Sequence, residues 1–435
     1  SAVITNDPDG NYIVSANIGS DGNTFAGVTS ADGLGEHGDD GGMFASDATY
    51  SNGIIVVHPE TNRLATTNTK SNTVVLFAID PQNPSRLTMV GSPVSSEGQF
   101  PTSVAFNKAG DFLCAMNSGT NAGIFCYDVT SEGLIPKEGS FRSFGPEYNQ
   151  TTPPAGPINT ASQVIFTEDD KNVVAAVKGF VLPQPTRGAL FVWNLGDNNT
   201  LAQEAVVAST PAPGGFTFSL TPIPGKNAFL SADFSSGLDV WSFENGIENI
   251  NRSNPRTLAA DVPGEITTCW STWSPTIDSY YLSDPSTCLI TEVVLDGNLK
   301  PQIVANHTLP IGGENIDVAV GTIGGKDYLY ALLTNELSVG VLRLDGTGDA
   351  TLTGVANFTE SIPKAGAPVR ASLPCIASTD KGINCAHRSE LHARYGTLCQ
   401  VDEELRIRGD DRSCLFVFNL LPQTESNSRG IRRSA

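Results

Sequence analysis

The feature that most restricts what this 435-residue chain can become is a unit of about fifty residues that returns six times. Each copy has an apolar run, a turn rich in Gly, Asp or Asn, a second apolar run, a polar loop and a third run. It reads IIVVHPETNRLATTNTKSNTVVLFAID from Ile54, SVAFNKAGDFLCAMNSGTNAGIFCYDV from Ser103 and QVIFTEDDKNVVAAVKGFVLPQPTRGALFVWNL from Gln163. It returns as FSLTPIPGKNAFLSADFSSGLDVWSF from Phe218, TWSPTIDSYYLSDPSTCLITEVVL from Thr272 and VAVGTIGGKDYLYALLTNELSVGVLRL from Val318. The turn residues His58, Asn107, Thr167, Thr221, Ser274 and Gly321 recur every 47 to 60 residues, the spacing of four-stranded propeller blades. Short β-branched and aromatic runs between turn clusters are strands, and no stretch holds a helical period, so helices should be few and short. The predicted fold is all-β: a seven-bladed β-propeller.

The seventh blade is predicted to be composite. The amino-terminal AVITNDPDGNYIVSANI matches only the second and third runs of a unit, with Thr5 and Asn6 where Thr67 and Asn68 stand. Its first strand is missing, and an open sheet edge is a liability, so the carboxy-terminal region is expected to donate that strand and close the ring from both termini. Either SLPCIAS near Leu373 or CLFVFNL near Leu415 fits that role. The expected organisation is a propeller over residues 1–385, with a polar insertion at 19–50 centred on GLGEHGDDGG. Residues 386–435 form an atypical Cys- and Arg-containing segment with eight of the sixteen Arg and no Lys, which in part closes the last blade.

Composition limits the function classes. A net charge of −20 disfavours nucleic acid and anionic membrane surfaces, and no run of eighteen apolar residues exists to insert into a bilayer. A hydrophobic content of 39% supports a large core, while 43 Gly and 27 Pro supply its turns. Eight Cys and five sequons, at Asn149, Asn198, Asn251, Asn306 and Asn357, fit a secreted, glycosylated chain, extracellular or in a cell wall. The chain begins at Ser1 without Met, which fits removal of a signal peptide. A monomer is expected.

Cys114 and Cys126 flank a hairpin centred on Thr120 and should face each other as a disulfide. Cys269 and Cys288 fall near one rim of a single blade, where a second bridge is expected. The pairing of Cys375, Cys385, Cys399 and Cys414 stays open. No CxxC pair or spaced His accompanies them, so no metal is expected there. Glu36, His37, Asp39 and Asp40 match no EF-hand spacing and read as a solvated loop. His58 reads as a turn residue, and His307, His387 and His392 as exposed. Trp193 and Trp241 read as blade packing. No GxSxG elbow, HExxH, P-loop or dinucleotide fingerprint appears in a strand-to-helix context.

The repeated unit, with its acidic or Asn-bearing loops, resembles the seven-bladed lactonase family that includes 3-carboxymuconate cyclase and 6-phosphogluconolactonase, and is most similar to its extracellular fungal members. The resemblance covers residues 1 to about 385. It implies cofactor-free lactonising or lactone-opening chemistry by His, Arg and Glu around the channel mouth. This chain departs from that pattern. NTASQ places Thr160 and Ser162 where the family carries imidazoles and keeps only Gln163; GGFT places Phe216 and Thr217 where it carries Arg and His; Ser283, Asp284 and Pro285 replace another Arg-bearing stretch. These substitutions remove a neutral-pH proton carrier and a cation. The remaining candidates are Asp233, Glu265 and Gln163 for acid–base work, with Thr160, Ser162, Phe216, Thr217, Trp270 and Asp284 around the ligand, and Trp273 and Phe100 nearby. Asp233 and Glu265 are a candidate carboxylate pair; ordinary loop carboxylates are the plainer reading. The implied function is a cofactor-independent lactonase or cyclase acting on a small, weakly charged organic ligand in the central channel. The alternative is a non-catalytic small-molecule-binding or cell-surface propeller. An Arg such as Arg370 beside a buried carboxylate would favour the enzyme.

Overall fold

The computed structural model describes residues 2–367 except 20–21, 40–46, 149, 180–187, 245, 248–256, 310–314 and 335–336. Seven small antiparallel sheets follow one another along the chain and form a ring, a seven-bladed β-propeller. Six carry their main strands in simple up-and-down order from the axis outward. In the third blade these are Pro101–Phe106, Phe112–Asn117, Gly123–Val129 and Leu134–Pro136; in the sixth, Trp270–Ser274, Ser279–Asp284, Leu289–Leu295 and Pro301–Thr308. The second (Ile55–His58 onward), fourth (Ala161–Phe166 onward) and fifth (Thr221–Pro222 onward) repeat that plan, as does the seventh, from Asn315–Ile323 to Asp349–Asn357. Among the described residues the single α-helix is Ser361–Lys364.

Local chemistry sets each blade. The second strand lies between neighbouring blades and is apolar on both faces: every residue of Phe112–Asn117, Ala228–Asp233 and Ser279–Asp284 is buried. The hairpin before Phe112 is built by Asn107, whose Oδ1 accepts from the N–H groups of Asp111 (3.1 Å) and Phe112 (3.0 Å). Gly110 completes it at φ +71°, with its Cα so near His58 that a Cβ would lie 2.7 Å from the ring. His58 is a turn residue: Nδ1 meets Thr61 Oγ1 at 2.9 Å and Nε2 meets the Lys108 carbonyl at 3.2 Å. Trp193 and Trp241 are buried in blade interiors.

The ring closes through the first sheet, Ala2–Ile4, Tyr12–Gly19 and Gly22–Ser30. It touches the seventh blade on one side and the second on the other. Alternation along its middle strand explains this: Ile13 packs with Leu64, Val75 and Phe77 of the second blade, while Val14 and Ala16 pack with Tyr328, Tyr330, Val339 and Val341 of the seventh. Asn11 fastens the junction by donating from Nδ2 to the Thr67 carbonyl and to Asn68 Oδ1, both at 3.0 Å. The turn at residues 5–11 therefore lies beside the end of Arg63–Asn68, as the correspondence of Asn6 with Asn68 requires. This sheet has three described strands, and the segments expected to add a fourth, near Leu373 and Leu415, lie outside the described residues.

Two sequence expectations change. The insertion expected over 19–50 begins only after Ser30, because Gly22–Ser30 pairs along Tyr12–Gly19 and forms an outer strand. Cys114 and Cys126 stand opposite each other and are disulfide-bonded, but Cys269 is a buried free thiol. Cys288 is engaged in a disulfide that does not involve Cys269. The two residues sit at successive strand ends of one blade, and a shared rim does not make them direct neighbours. Cys375, Cys385, Cys399 and Cys414 lie outside the described residues.

Since Ile13 is fully buried where the ring closes, Ile13→Ala is expected to cost about 2–5 kcal/mol. Ile135→Ala, at a half-exposed position, should cost under about 0.5 kcal/mol. Denaturant midpoints at constant slope measure both, and equal midpoints would show that the first sheet is not part of the closure.

Candidate active site at the channel mouth

All innermost strands run the same way along the axis, so the loops leading into them and the turns that follow the second strands collect at one end of the channel. The recurring residue at the end of the second strand organises this face. Asn68, Asn117, Asp233 and Asp284 occupy equivalent positions, each buried. Asp233 Oδ2 accepts from the N–H groups of Gly215 and Phe216, both at 2.9 Å, and Oδ1 accepts from Ser235 N–H (2.7 Å), Ser235 Oγ (2.6 Å) and Ser236 N–H (3.2 Å). Asp284 repeats the arrangement, accepting from Ile266 N–H, Thr267 Oγ (2.7 Å), Ser286 N–H (2.9 Å) and Thr287 N–H (3.2 Å). Both carboxylates hold the incoming loop to the turn. Asp233 thus has its lone pairs committed to backbone and Ser235, which suits a fastener and leaves no room for proton transfer.

The other residues expected at the site divide similarly. Thr160, Ser162 and Thr217 are fully buried. Thr160 donates to the Pro157 carbonyl at 2.6 Å, and Ser162 Oγ bridges the carbonyls of Ala176 (3.1 Å) and Thr217 (2.8 Å). Gln163 Oε1 accepts from Leu220 N–H at 2.6 Å and links the innermost strands of the fourth and fifth blades. These are structural contacts, made because hydroxyl and amide groups buried between blades must pair. Trp270 is buried with its indole edge-on to Phe218 at 5.4 Å, and its Nε1 has no partner. Phe216 is half-buried against Phe234. Trp273 donates to Asp278 at 3.1 Å at the surface, and Phe100 is fully buried.

Around the axis the ring instead assembles a cluster that includes three residues not singled out in the sequence: Lys178, Asp47 and Asp317, beside Glu265 and Cys269. Lys178 follows the strand Asn172–Val177 and is 1% exposed. Its ammonium donates to the Tyr50 carbonyl and, at 3.1 Å, to Thr160 Oγ, and lies 4.5 Å from the centre of the Phe218 ring. This cation supplies the positive charge whose absence the family pattern suggested. Burial lowers the Lys178 pKa and raises that of Asp47, and each charge offsets part of the other's shift. Asp47 also accepts from Tyr50 N–H at 2.8 Å.

Asp317 sits at a bulge between Asn315 and Val318 with φ +65°, a left-handed conformation that Asp tolerates. Burial raises its pKa to about 6, against the hydrogen bond from Val318 N–H. Glu265 is raised to about 7, first by burial and, more weakly, by the Asp284 carboxylate, against a hydrogen bond from Thr268. Its neighbouring charge is Asp284; the expected pairing with Asp233 does not form the couple. Glu265 Oε1 is shielded from water and has no hydrogen-bond partner. The Cys269 thiol is raised by burial and by Asp47, Asp284 and Glu265, and lowered by Lys178, so it lies among all four. A carboxyl that titrates near neutrality can take and return a proton at working pH.

The remaining residues singled out in the sequence lie elsewhere. His307 is not exposed: its Nε2 meets the buried Glu292 carboxylate at 3.0 Å, because Asn306–His307 lies on a strand whose alternate residue turns inward. Asn198, Asn306 and Asn357 are exposed. Asn149, Asn251, Asp40, Arg370, His387 and His392 lie outside the described residues. No group of three or more metal-ligating side chains occurs among the described residues. A surface depression of about 330 Å³, lined by Lys108, Glu168, Asp169, Gly225, Lys226 and Asn227, lies among the hairpin turns at the opposite end and is open to solvent.

The class defined by these features is a seven-bladed propeller with buried ionisable groups gathered near its axis. Residues 39–147 match the family described as Lactonase, 7-bladed beta-propeller. Similar solved structures include a putative 6-phosphogluconolactonase from Bacteroides fragilis (16% identity, 79% of this chain and 89% of that one, TM-score 0.56). Another, from Bacteroides uniformis, is also described as a putative 6-phosphogluconolactonase (17%, 80% and 92%, 0.55). A third is a periplasmic gluconolactonase from Pseudomonas aeruginosa (13%, 67% and 80%, 0.50). Identities this low carry the fold alone. No curated protein matches the chain.

The raised carboxyls give a testable sign. Folded Glu265 and Asp317 keep their protons to about 7 and about 6, whereas the unfolded groups lose them near 4.5 and 3.8. The folded state thus binds more protons in that window, and wild-type stability falls there as pH rises. Glu265→Gln and Asp317→Asn remove that titration, so each should gain stability relative to wild type between pH 4.5 and 7. Melting temperatures across that range test this; a difference that stays constant with pH would show that neither group is shifted.

Proposed function

We propose that this protein is a lactonase-type hydrolase that opens a small, weakly charged cyclic ester at the channel mouth. The carrying observation is Glu265, a carboxyl raised to about 7 with one buried oxygen unpartnered, whose charge reaches Cys269, as do those of Lys178 and Asp47. In this reading a water admitted with the substrate meets the unpartnered Oε1 of Glu265, and the carboxylate takes its proton while the water oxygen attacks the ester carbonyl. The resulting oxyanion collapses, the bond from carbonyl carbon to ring oxygen breaks, and Glu265 returns the proton to that oxygen, yielding a hydroxy acid. The Lys178 charge lowers the energy of the oxyanion through the field of the site, its own N–H groups being held by Tyr50, Thr160 and the Phe218 face. The fold and the matched segment support the reaction class.

Hydrolysis of a panel of sugar, alkyl and aryl lactones is expected, with a rate that rises with pH through about 7, as Glu265 ionises. Glu265→Gln should lower kcat by about 10²–10⁴-fold, while Asp233→Asn should act on stability. Unchanged turnover in Glu265→Gln, or none with any lactone, would sink the proposal.

We further propose an extracellular location, supported by the Cys114–Cys126 disulfide and the exposed sequons at Asn198, Asn306 and Asn357. Protein recovered from its source should lose mass at these sites on enzymatic removal of N-glycans; unmodified peptides at all three would argue against secretion.

A further inference from the structure

We infer that the channel-mouth site, on the reading proposed above, selects an uncharged ring ester and turns away phosphorylated or carboxylated ones, with Asp317 as the residue that sets this preference. An anionic substrate needs a cation or a set of N–H donors free to meet it. The one cation in the cluster has its donors committed: Lys178 is 1% exposed, bonded to Tyr50 and Thr160, covered by the Phe218 face and balanced in charge by Asp47. The N–H groups of Gly215, Phe216, Ile266, Ser286 and Thr287, which could form an anion nest, are already occupied by the carboxylates of Asp233 and Asp284.

Among the described residues of the cluster, the side chains left to face a ligand are negative or neutral. Glu265, Asp317 and Phe216 are half-buried, and no cation pairs with Asp317 or Glu265 among the described residues. The bulge matters to this argument. Regular pairing from Asn315 to Val318 would set residue 317 in the strand's alternation; the extra residue and its left-handed φ re-aim the side chain. Its charge is felt by Asp47, which ties it to the same cluster. A phosphate or carboxylate brought to this rim meets like charge with no compensating donor, and such juxtaposition discriminates strongly between partners.

The test uses the full chain and paired non-hydrolysable probes: a neutral sugar lactam and its 6-phosphorylated counterpart, their binding followed by calorimetry at low and high salt. Wild type is expected to bind the neutral lactam at least about 100-fold more tightly, with the gap narrowing as salt rises. Asp317→Asn, which suits the left-handed backbone and can still accept from Val318 N–H, should narrow the gap about tenfold by improving the phosphorylated lactam alone. Equal or tighter binding of the phosphorylated lactam by wild type, failure of both lactams to bind, or a gap unmoved by Asp317→Asn would each overturn the inference. Hydrolysis of the parent lactones, measured separately, distinguishes the two proposals: selective binding without turnover removes the hydrolase reading only, and turnover without selectivity removes this one only.

Discussion

A blade of this size has two apolar faces and cannot bury both by itself, so the structure depends on each sheet being covered by the next and on the last being covered by the first. The middle strand of the first sheet carries that requirement. Ile13 turns to the second blade, Val14 and Ala16 to the seventh, and Asn11 bonds the first turn to Thr67 and Asn68. A strand with only one apolar face would serve an edge; this one joins two neighbours, and the ring follows.

Closure determines the site. Because the innermost strands run in one direction, loops distant in sequence converge on one end of the axis. Asp47, Lys178 and Asp317 come from three separate stretches of the chain, and Glu265 and Cys269 share a fourth, the loop before Trp270–Ser274. Their shared burial then shapes their chemistry. Desolvation pushes carboxyls up and the ammonium down, and it is the first cause of the shift for every one of these groups. A similar set on an open surface would be solvated and ordinary.

The same face shows how a repeat divides its polar residues between construction and chemistry. Asn68, Asn117, Asp233 and Asp284 stand at one structural position and are spent on turns and incoming loops. In the fourth blade Val177 takes that position, and the following residue, Lys178, points its charge into the buried centre instead. The departure from the repeat coincides with the cluster's one cation.

The strands, their turns and the number of blades were legible in the sequence because they rest on local pattern: alternating apolar runs, Asn107 and its hairpin, Cys114 placed across from Cys126. The site was legible only in part. Glu265 was among the expected residues, but Asp233, Asp284, Gln163, Thr160 and Ser162 were assigned to ligand chemistry when they bond largely to backbone, and Asp47, Lys178 and Asp317 were passed over. Lys178 did carry a signal, a charge directly after an apolar strand where sister blades carry the uncharged Thr69, Ser118, Phe234 and Pro285; Asp47 and Asp317 carried none. Sequence periodicity by itself determined the propeller, since strand patterning and turn chemistry act over a few residues. Only the tertiary structure decided which polar groups became fasteners and which became a buried cluster with shifted titration, since that depends on burial and on neighbours brought together from across the ring.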